Sequence, residues 1–233
     1  SDLIIRSTSV TDPTDFTVGA ITGIMNLNHT SNSADIRGTV VTGGIAAFVN
    51  QGVLNAQAST VDTRFVVPFG NDGSFNLSGL RQINLQGNSV NAGLINIGAG
   101  STLALNNNIT LSLSTGSSFA GSAGALSVLA GEILDVTVLQ TLPSGMTLNL
   151  DGGAINNAQN LTIPNTFNTS GGTINGAALS TFTTPGGSVT TYSGGTDLTT
   201  NVDWLSNGTF NFNSSFSDLI IRSTSVTDPT DFT

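Results

Sequence analysis

The run from residue 82 to residue 113, QINLQGNSVNAGLINIGAGSTLALNNNITLSL, decides the fold class of this chain. It contains triplets in which two apolar residues flank a small polar one, such as Ile83-Asn84-Leu85 and Leu111-Ser112-Leu113. Apolar residues at i and i+2 show the two-residue period of a half-buried β-strand. The segments between triplets, such as Gln86-Gly87-Asn88, consist of residues that favour turns. We therefore predict an all-β protein.

The same triplets recur outside this run, at intervals of about 8 to 15 residues, a spacing that suits a β-sandwich, a barrel or a β-solenoid. Three features favour the solenoid. The strands are short, the apolar positions hold aliphatic rather than aromatic residues, and the turns are rich in Asn, whose side chains can form ladders between successive coils. We predict a β-solenoid, that is, a parallel β-helix, with β-sandwich modules as the alternative.

The first seventeen residues, SDLIIRSTSVTDPTDFT, recur unchanged as residues 217–233. Repetition at a fixed offset is the mark of a repeat array. An engineered duplication is the alternative explanation, but no linker or tag separates the second copy from the residues before it. We therefore predict that residues 1–216 form one β-rich unit and that 217–233 begin the next. Within the unit, 1–79 is a candidate distinct β subregion and 80–216 is solenoid-like.

The repeated segment is the predicted junction between units. Its apolar residues are followed by a stretch rich in Ser and Thr, and this pattern predicts a strand. The strand either connects one unit to the next in a continuous chain or pairs with a neighbouring protomer by β-addition. Either arrangement covers a sheet end that would otherwise associate without control. The predicted junction residues are Leu3, Ile4, Ile5, Leu219, Ile220 and Ile221.

Charged residues are scarce in this chain. They make up 8% of it, with no lysine and a formal net charge of −9, whereas ordinary globular proteins carry about a quarter. We expect no nucleic-acid partner, because neutralising a phosphate backbone requires clustered Lys and Arg side chains. The absence of cysteine excludes disulfides and thiolate metal sites. We also expect no membrane span in this segment, since no apolar run reaches about eighteen residues.

The segment from Gln82 to Ile174 resembles bacterial secreted and surface proteins of the filamentous-haemagglutinin and autotransporter-passenger type. The resemblance is carried by Asn- and Gly-punctuated strands, in particular LNLDGGAINNAQNLTIPNT at 148–166 and TSGGTINGAAL at 169–179. Proteins of that type are right-handed parallel β-helices displayed on or beyond the outer membrane. The resemblance implies the same fold, and an extracellular or cell-surface location, for this chain.

The residues for a hydrolytic site are largely missing, and we predict that the protein is not an enzyme. His29 is the only histidine, so a triad with a histidine base has one candidate, and its place in Asn28-His29-Thr30 is typical of a turn residue. Glycoside hydrolysis needs two carboxylates across a cleft. Glu132 and Asp135 are three residues apart, but this spacing does not place them across a cleft.

Calcium is the one cofactor that the sequence makes worth testing, because its ligands are carboxylate, amide and carbonyl oxygens. The candidate ligands are Asp12, Asp15, Asp72 and Asp197, which stand in turn-like segments. None of these segments matches a calcium-binding loop, and Asx-turns explain the same residues without metal. We predict no other cofactor.

We expect a structural subunit of an extracellular fibre or cell-surface stalk, built from tandem units whose main partners are head-to-tail copies of themselves. One alternative is an adhesin that binds a host surface or glycan ligand. An exposed aromatic platform at Tyr192 and Trp204 would favour the adhesin, and burial of both would favour the fibre. A further alternative is a polysaccharide-degrading β-helix of the phage tailspike type, which requires a cleft with paired carboxylates.

Overall fold

The computed structural model describes residues 3–7, 14–18, 23–29, 34–40, 46–58, 62–79 and 81–222. The chain winds into a β-solenoid in which each coil crosses three faces in the same order. The first three coils consist of β1 (Leu3–Ser7), β2 (Thr14–Val18) and β3 (Ile24–His29), then β4 (Ala34–Val40), β5 (Ala46–Asn50) and β6 (Val53–Ala58), then β7 (Thr63–Phe65), β8 (Phe69–Asn71) and β9 (Ser74–Gly79).

The middle coils follow the same order. They consist of β10 (Gln82–Leu85), β11 (Ser89–Asn91) and β12 (Leu94–Ile97), then β13 (Thr102–Leu105), β14 (Thr110–Leu113) and β15 (Ser118–Ala120), then β16 (Ser122–Leu129), β17 (Ile133–Val136) and β18 (Gln140–Thr141). In the next two coils one long strand covers two faces, giving β19 (Gly145–Asn157) with β20 (Leu161–Thr162), and β21 (Thr166–Gly176) with β22 (Thr181–Thr184). The last strands are β23 (Val189–Tyr192), β24 (Leu198–Asn201), β25 (Asp203–Ser206), β26 (Thr209–Phe212) and β27 (Leu219–Ile221).

Every pair of neighbouring strands is parallel, as stacking of successive coils requires. The first face runs β1-β4-β7-β10-β13-β16-β19-β21-β23-β26, and the second runs β2-β5-β8-β11-β14-β17-β19-β21-β24-β27. The third face consists of two sheets, β3-β6-β9-β12-β15 and β18-β20-β22-β25. No helix occurs in the described parts of the chain, so none of them provides a helical membrane span.

The length of a coil follows from one column of residues in register on the first face. This column, which we call the first-face column, consists of Leu3, Ile36, Phe65, Leu85, Leu105, Val128, Leu150, Thr169, Tyr192 and Phe212. From Phe65 onward each step takes between 19 and 23 residues. The first two steps take 33 and 29 residues. The coils are therefore longest near the start and nearly uniform afterwards.

The core is a stack of inward side chains that repeats from coil to coil. In the middle coils it is aliphatic apart from Phe119, and side chains such as Leu105, Leu126 and Leu148 are fully buried. Aromatic rings fill the core nearer the two ends. They form one cluster at Phe48, Phe65, Phe69 and Phe75, and a second at Phe167, Phe182, Trp204 and Phe210.

Two of the segments in which the sequence predicts turns are instead bends within continuous strands. Asp151-Gly152-Gly153 lies inside β19, and Gly171-Gly172 lies inside β21, where the register between the two strands shifts. Gly152 and Gly171 have φ of 82° and 136°, which glycine adopts at little cost. These glycines let one strand pass from the first face to the second without leaving the sheet.

The structure confirms the prediction of an all-β solenoid, and the sandwich alternative is wrong because the strands stack in parallel through all three faces. Asn side chains also form ladders between coils, but one of these ladders lies within strands and not in the turns for which ladders were predicted. On the third face, amide groups of Asn55, Asn76 and Asn96 each donate to the Asn side chain of the preceding coil at 2.8, 2.9 and 3.3 Å, starting from Asn26.

Candidate junction between units

At the end of the described stack, after β25, part of the apolar core is exposed. Phe210 and Leu219 pack against the core but are only half-buried, and Phe212 and Ile221 are 50% and 46% exposed. The fully buried Tyr192 contacts Phe212 at a ring-centroid distance of 5.1 Å. The equivalent side chains one coil earlier are covered on both sides. This end therefore presents the apolar surface that one more coil would bury.

The predicted junction strand lies at this end. Leu219, Ile220 and Ile221 form β27, which extends the second face by pairing in parallel with Leu198, Thr199 and Thr200 of β24. The Leu198 amide donates to the Asp218 carbonyl oxygen, and the Arg222 amide donates to the Thr200 carbonyl oxygen, both at 2.9 Å. These ladder bonds therefore join the repeated segment to the coil that precedes it.

Further hydrogen bonds fix the entry into this strand. The Tyr192 hydroxyl lies 2.9 Å from the Thr196 carbonyl oxygen and 3.2 Å from that of Asp218. The Asp218 amide donates to Asp197 Oδ1 at 3.0 Å, and the Ser217 amide donates to Ser214 Oγ at 2.9 Å. A buried tyrosine needs a partner for its hydroxyl, and the repeated segment provides one of the two.

The first copy of the junction residues lies on a different face. Leu3, Ile4 and Ile5 belong to β1, whose backbone pairs in parallel with Ile36, Arg37 and Gly38 of β4 on the first face. Their copies in β27 lie on the second face. Both copies of the predicted junction therefore lie in strands that pair in parallel with a neighbouring coil, and they differ in the face that they occupy.

An inner ladder of Asn side chains marks one corner of the early coils. Asn50 Nδ2 donates to Asn71 Oδ1 at 2.7 Å, and Asn71 Nδ2 donates to Asn91 Oδ1 at 2.6 Å. All three side chains are buried at the ends of β5, β8 and β11. Each is followed two residues later by a glycine, and a Cβ at Gly73 or Gly93 would overlap the backbone of the preceding coil.

Arginine and aspartate side chains form an ion-pair cluster on the first face that the sequence alone did not suggest. Arg64 Nε lies 2.6 Å from Asp35 Oδ1, Arg37 Nε lies 2.8 Å from Oδ2, and an Arg37 terminal nitrogen also bonds Oδ2. Burial raises the pKa of Asp35, but hydrogen bonds and charge from Arg37 and Arg64 outweigh it and hold that pKa below its usual value. Asp35 and Arg64 are in register on neighbouring coils, so the cluster ties β4 to β7.

The calcium candidates are not brought together. Asp12 lies outside the described residues, and Asp15 is in β2. Asp72 is exposed after β8, and Asp197 is exposed before β24, six strands further along the second face. Over the described ranges no group of three or more His, Cys, Asp or Glu side chains is placed to hold a metal ion. Calcium binding therefore stays a prediction without a site in this part of the chain.

The carboxylate pair considered for glycoside hydrolysis is divided between two structural roles. Glu132 is buried, and its two oxygens accept the backbone amides of Asn108 and Ile109 at 2.8 and 2.6 Å. Asp135 faces outward in β17, where the Ser112 hydroxyl lies 3.5 Å from it. Both Glu132 oxygens thus accept backbone amides of the preceding coil, that of Ile109 being buried.

The two aromatic residues that distinguish the adhesin from the fibre are both core residues. Tyr192 is 0% exposed and Trp204 is 1% exposed. Trp204 stacks edge-on against Phe182 at 5.0 Å, and its indole nitrogen lies 3.3 Å from Thr184 Oγ1. These residues pack between coils and form no exposed platform.

Comparison with known proteins yields no relative: no family model, no curated protein and no solved structure matches this chain.

Proposed function

We propose that this chain is a unit of an extracellular fibre or cell-surface stalk in which 216-residue β-solenoid units follow one another in tandem. The observation that carries the proposal is β27. Residues 219–221 repeat residues 3–5, and they are seated as the next parallel strand of the second face. A unit that follows another therefore begins by extending its neighbour's sheet, and the backbone ladder runs on through the boundary.

The partly exposed end of the core supports the same proposal. Phe212 and Ile221 lie where a following coil would cover them, and burying a large apolar side chain stabilises a protein by about 1.5–3 kcal/mol. In a repeat protein each coil is stabilised mainly by its neighbours, so an uncovered end is the weakest part of the stack. Addition of a second unit removes one such end from each pair of units.

The mechanical role follows from the arrangement of bonds. Ladder hydrogen bonds join each coil to the next on the first and second faces, and on the third face within each of its two sheets, and core side chains stack between the coils. Side-chain ladders such as Asn26-Asn55-Asn76-Asn96 add bonds along the same axis. A tension along the axis would load all of these bonds together. Because Tyr192 and Trp204 are buried, they favour a structural stalk over a protein with an exposed aromatic binding platform.

The mass of the native polypeptide from its source tests the proposal. Under denaturing conditions we expect a mass far above 23.6 kDa, and partial digestion should give a ladder of fragments that differ by one 216-residue unit. A mass close to 23.6 kDa without such a ladder would show that the units are not joined in one chain, and the tandem fibre would have to be abandoned.

A further inference from the structure

The two copies of the junction strand occupy different faces of the same solenoid. The first copy, β1, belongs to the first-face column, which begins at Leu3 and ends at Phe212. The second copy, β27, does not continue that column. Leu219 is instead in register with Leu198 on the second face.

From this difference we infer that successive units are turned by one face, one third of a revolution, about the axis of the fibre. The inference rests on the proposed tandem array. The path from β1 to β27 consists of whole coils plus one further face. If the second unit repeats the fold of the first, its β1 starts on the second face of its neighbour, its β2 on the third and its β3 on the first.

The three-faced cross-section makes such a rotation structurally acceptable. All three faces consist of parallel strands with about the same spacing, so a strand of one face can be stacked on any other. The edge offered by β24 accepts Leu219, Ile220 and Ile221 with the same ladder pattern as strands in the middle of the stack. Leu219 packs against the core in this position.

The rotation distributes the lateral features of the unit around the fibre. The outward ladder of Asn26, Asn55, Asn76 and Asn96 lies on the third face of one unit, and in the next it would lie on the side that continues the first face. Three units return it to its starting side. With strands about 4.8 Å apart, one unit is about 45 Å long and the surface pattern recurs about every 135 Å.

Engineered disulfides at the boundary test the rotation, since the chain has no cysteine of its own. The protein to use contains residues 1–216 followed by residues 1–233, numbered continuously. In the turned arrangement Ile220 stands beside Thr199. Asn213 and Ile220 are only seven residues apart, whereas a coil takes at least 19 residues, so they cannot stand side by side on stacked parallel strands, and they serve as the negative control. Neighbouring positions on parallel strands are close enough for a disulfide.

We expect Thr199→Cys with Ile220→Cys to lose both free thiols under mild oxidation, and Asn213→Cys with Ile220→Cys to keep them. A second set guards against a variant that folds poorly, because it uses positions outside the core: Asp197→Cys with Asp218→Cys should close, and Asn211→Cys with Asp218→Cys should stay reduced. Single-cysteine variants with unchanged thermal unfolding are the controls.

The outcomes separate the rotation from the array. Failure of the Thr199 and Asp197 pairs to close in folded protein would overturn the rotation and leave the tandem fibre intact, because the junction strand would then not lie on the second face. Closure of the Asn213 or Asn211 pair would show a local hairpin at the boundary and would overturn it as well. A native mass of one unit, in contrast, would remove the array and with it this inference.

Discussion

The middle coils and the last coil of this solenoid are built from the same strands but are stabilised differently. Leu148 in β19 has a coil on either side of it and is fully buried. Phe212 in β26 has Tyr192 on one side, and half of its surface is exposed. The core side chains of a coil are therefore fully buried only where another coil follows. The stability of the last coil therefore reports directly on whether another unit is attached.

The largest effect is expected in the middle of the stack. Leu148→Ala leaves a cavity between two coils that cannot close without moving both, and we expect the free energy of unfolding to fall by about 3 kcal/mol. Phe212→Ala is the matched change at the end. In the 233-residue chain it should cost about 1 kcal/mol, because the side chain is already half-exposed. Urea unfolding of both variants measures the contrast, and equal losses would contradict it.

A buried ladder residue in the early coils should come next. Asn71→Ala removes the acceptor for one N–H of Asn50 and the donor to Asn91 Oδ1. The bond from Asn50 Nδ2 to the Ser74 carbonyl oxygen remains. Buried polar groups that lose a partner and cannot reach water cost about 1–3 kcal/mol each, so we expect a loss of about 2 kcal/mol. The control is Asn76→Ala in the ladder on the outer surface, whose neighbours can bond water instead. If Asn76→Ala lowers the free energy of unfolding as much as Asn71→Ala does, the buried ladder contributes no more to stability than the outer one.

Much of this fold could be predicted from the alternation of residues, and the limits of that prediction are instructive. The triplets around Leu85 and Leu105 fix strands and inward positions, because a two-residue period leaves only one apolar side. They do not distinguish Asn71, which is inside, from Asn76, which is outside. The Asn-x-Gly pattern at 71–73 and 91–93 recurs at the interval of one coil, and this recurrence could have identified the inner Asn ladder.

The site itself was less accessible to sequence reasoning. The repeat identified Leu219, Ile220 and Ile221 as junction residues, but it could not tell which face they occupy. That face depends on how many corners the chain turns, and two of those corners lie inside β19 and β21, where glycines let the strand bend without a break. The division of the chain into a unit of 1–216 and the start of a second unit stays a prediction.

A smaller and local effect is expected where the junction strand enters. Tyr192→Phe removes the hydroxyl that donates to the Thr196 and Asp218 carbonyl oxygens but keeps the ring that fills the core. We expect a loss of about 1 kcal/mol. Hydrogen exchange should speed up for amides of 217–222 and stay unchanged in the middle coils. Uniformly faster exchange would mean that the hydroxyl stabilises the whole stack rather than its end.

The smallest expected difference depends on pH. The pKa of Asp35 is lowered in the folded protein, so below its ordinary value of 3.8 the unfolded chain binds a proton that the folded chain does not. The cluster therefore stabilises the fold above that pH, and its contribution is lost as the pH falls toward the folded pKa. At neutral pH we expect Asp35→Asn to change stability little, because Arg37 and Arg64 are partly exposed and solvent screens the pairs.

Thermal unfolding of Asp35→Asn and of the parent chain between pH 2 and pH 7 measures this effect, with the exposed Asp72→Asn as control. The Asp35→Asn variant should lose less stability on acidification than the parent. Parallel profiles for the two proteins would show that the ion pairs contribute nothing to the acid response.

Hydrogen exchange of the last described coil measures whether a second unit continues the solenoid. The amides between residues 209 and 222 are compared in the 233-residue chain and in the protein that joins residues 1–216 to residues 1–233. If units continue one another as a single solenoid, these amides become as slow in the joined protein as those of the middle coils. If they exchange equally fast in both proteins, the second unit does not cover the first, and the account of a continuous fibre is wrong.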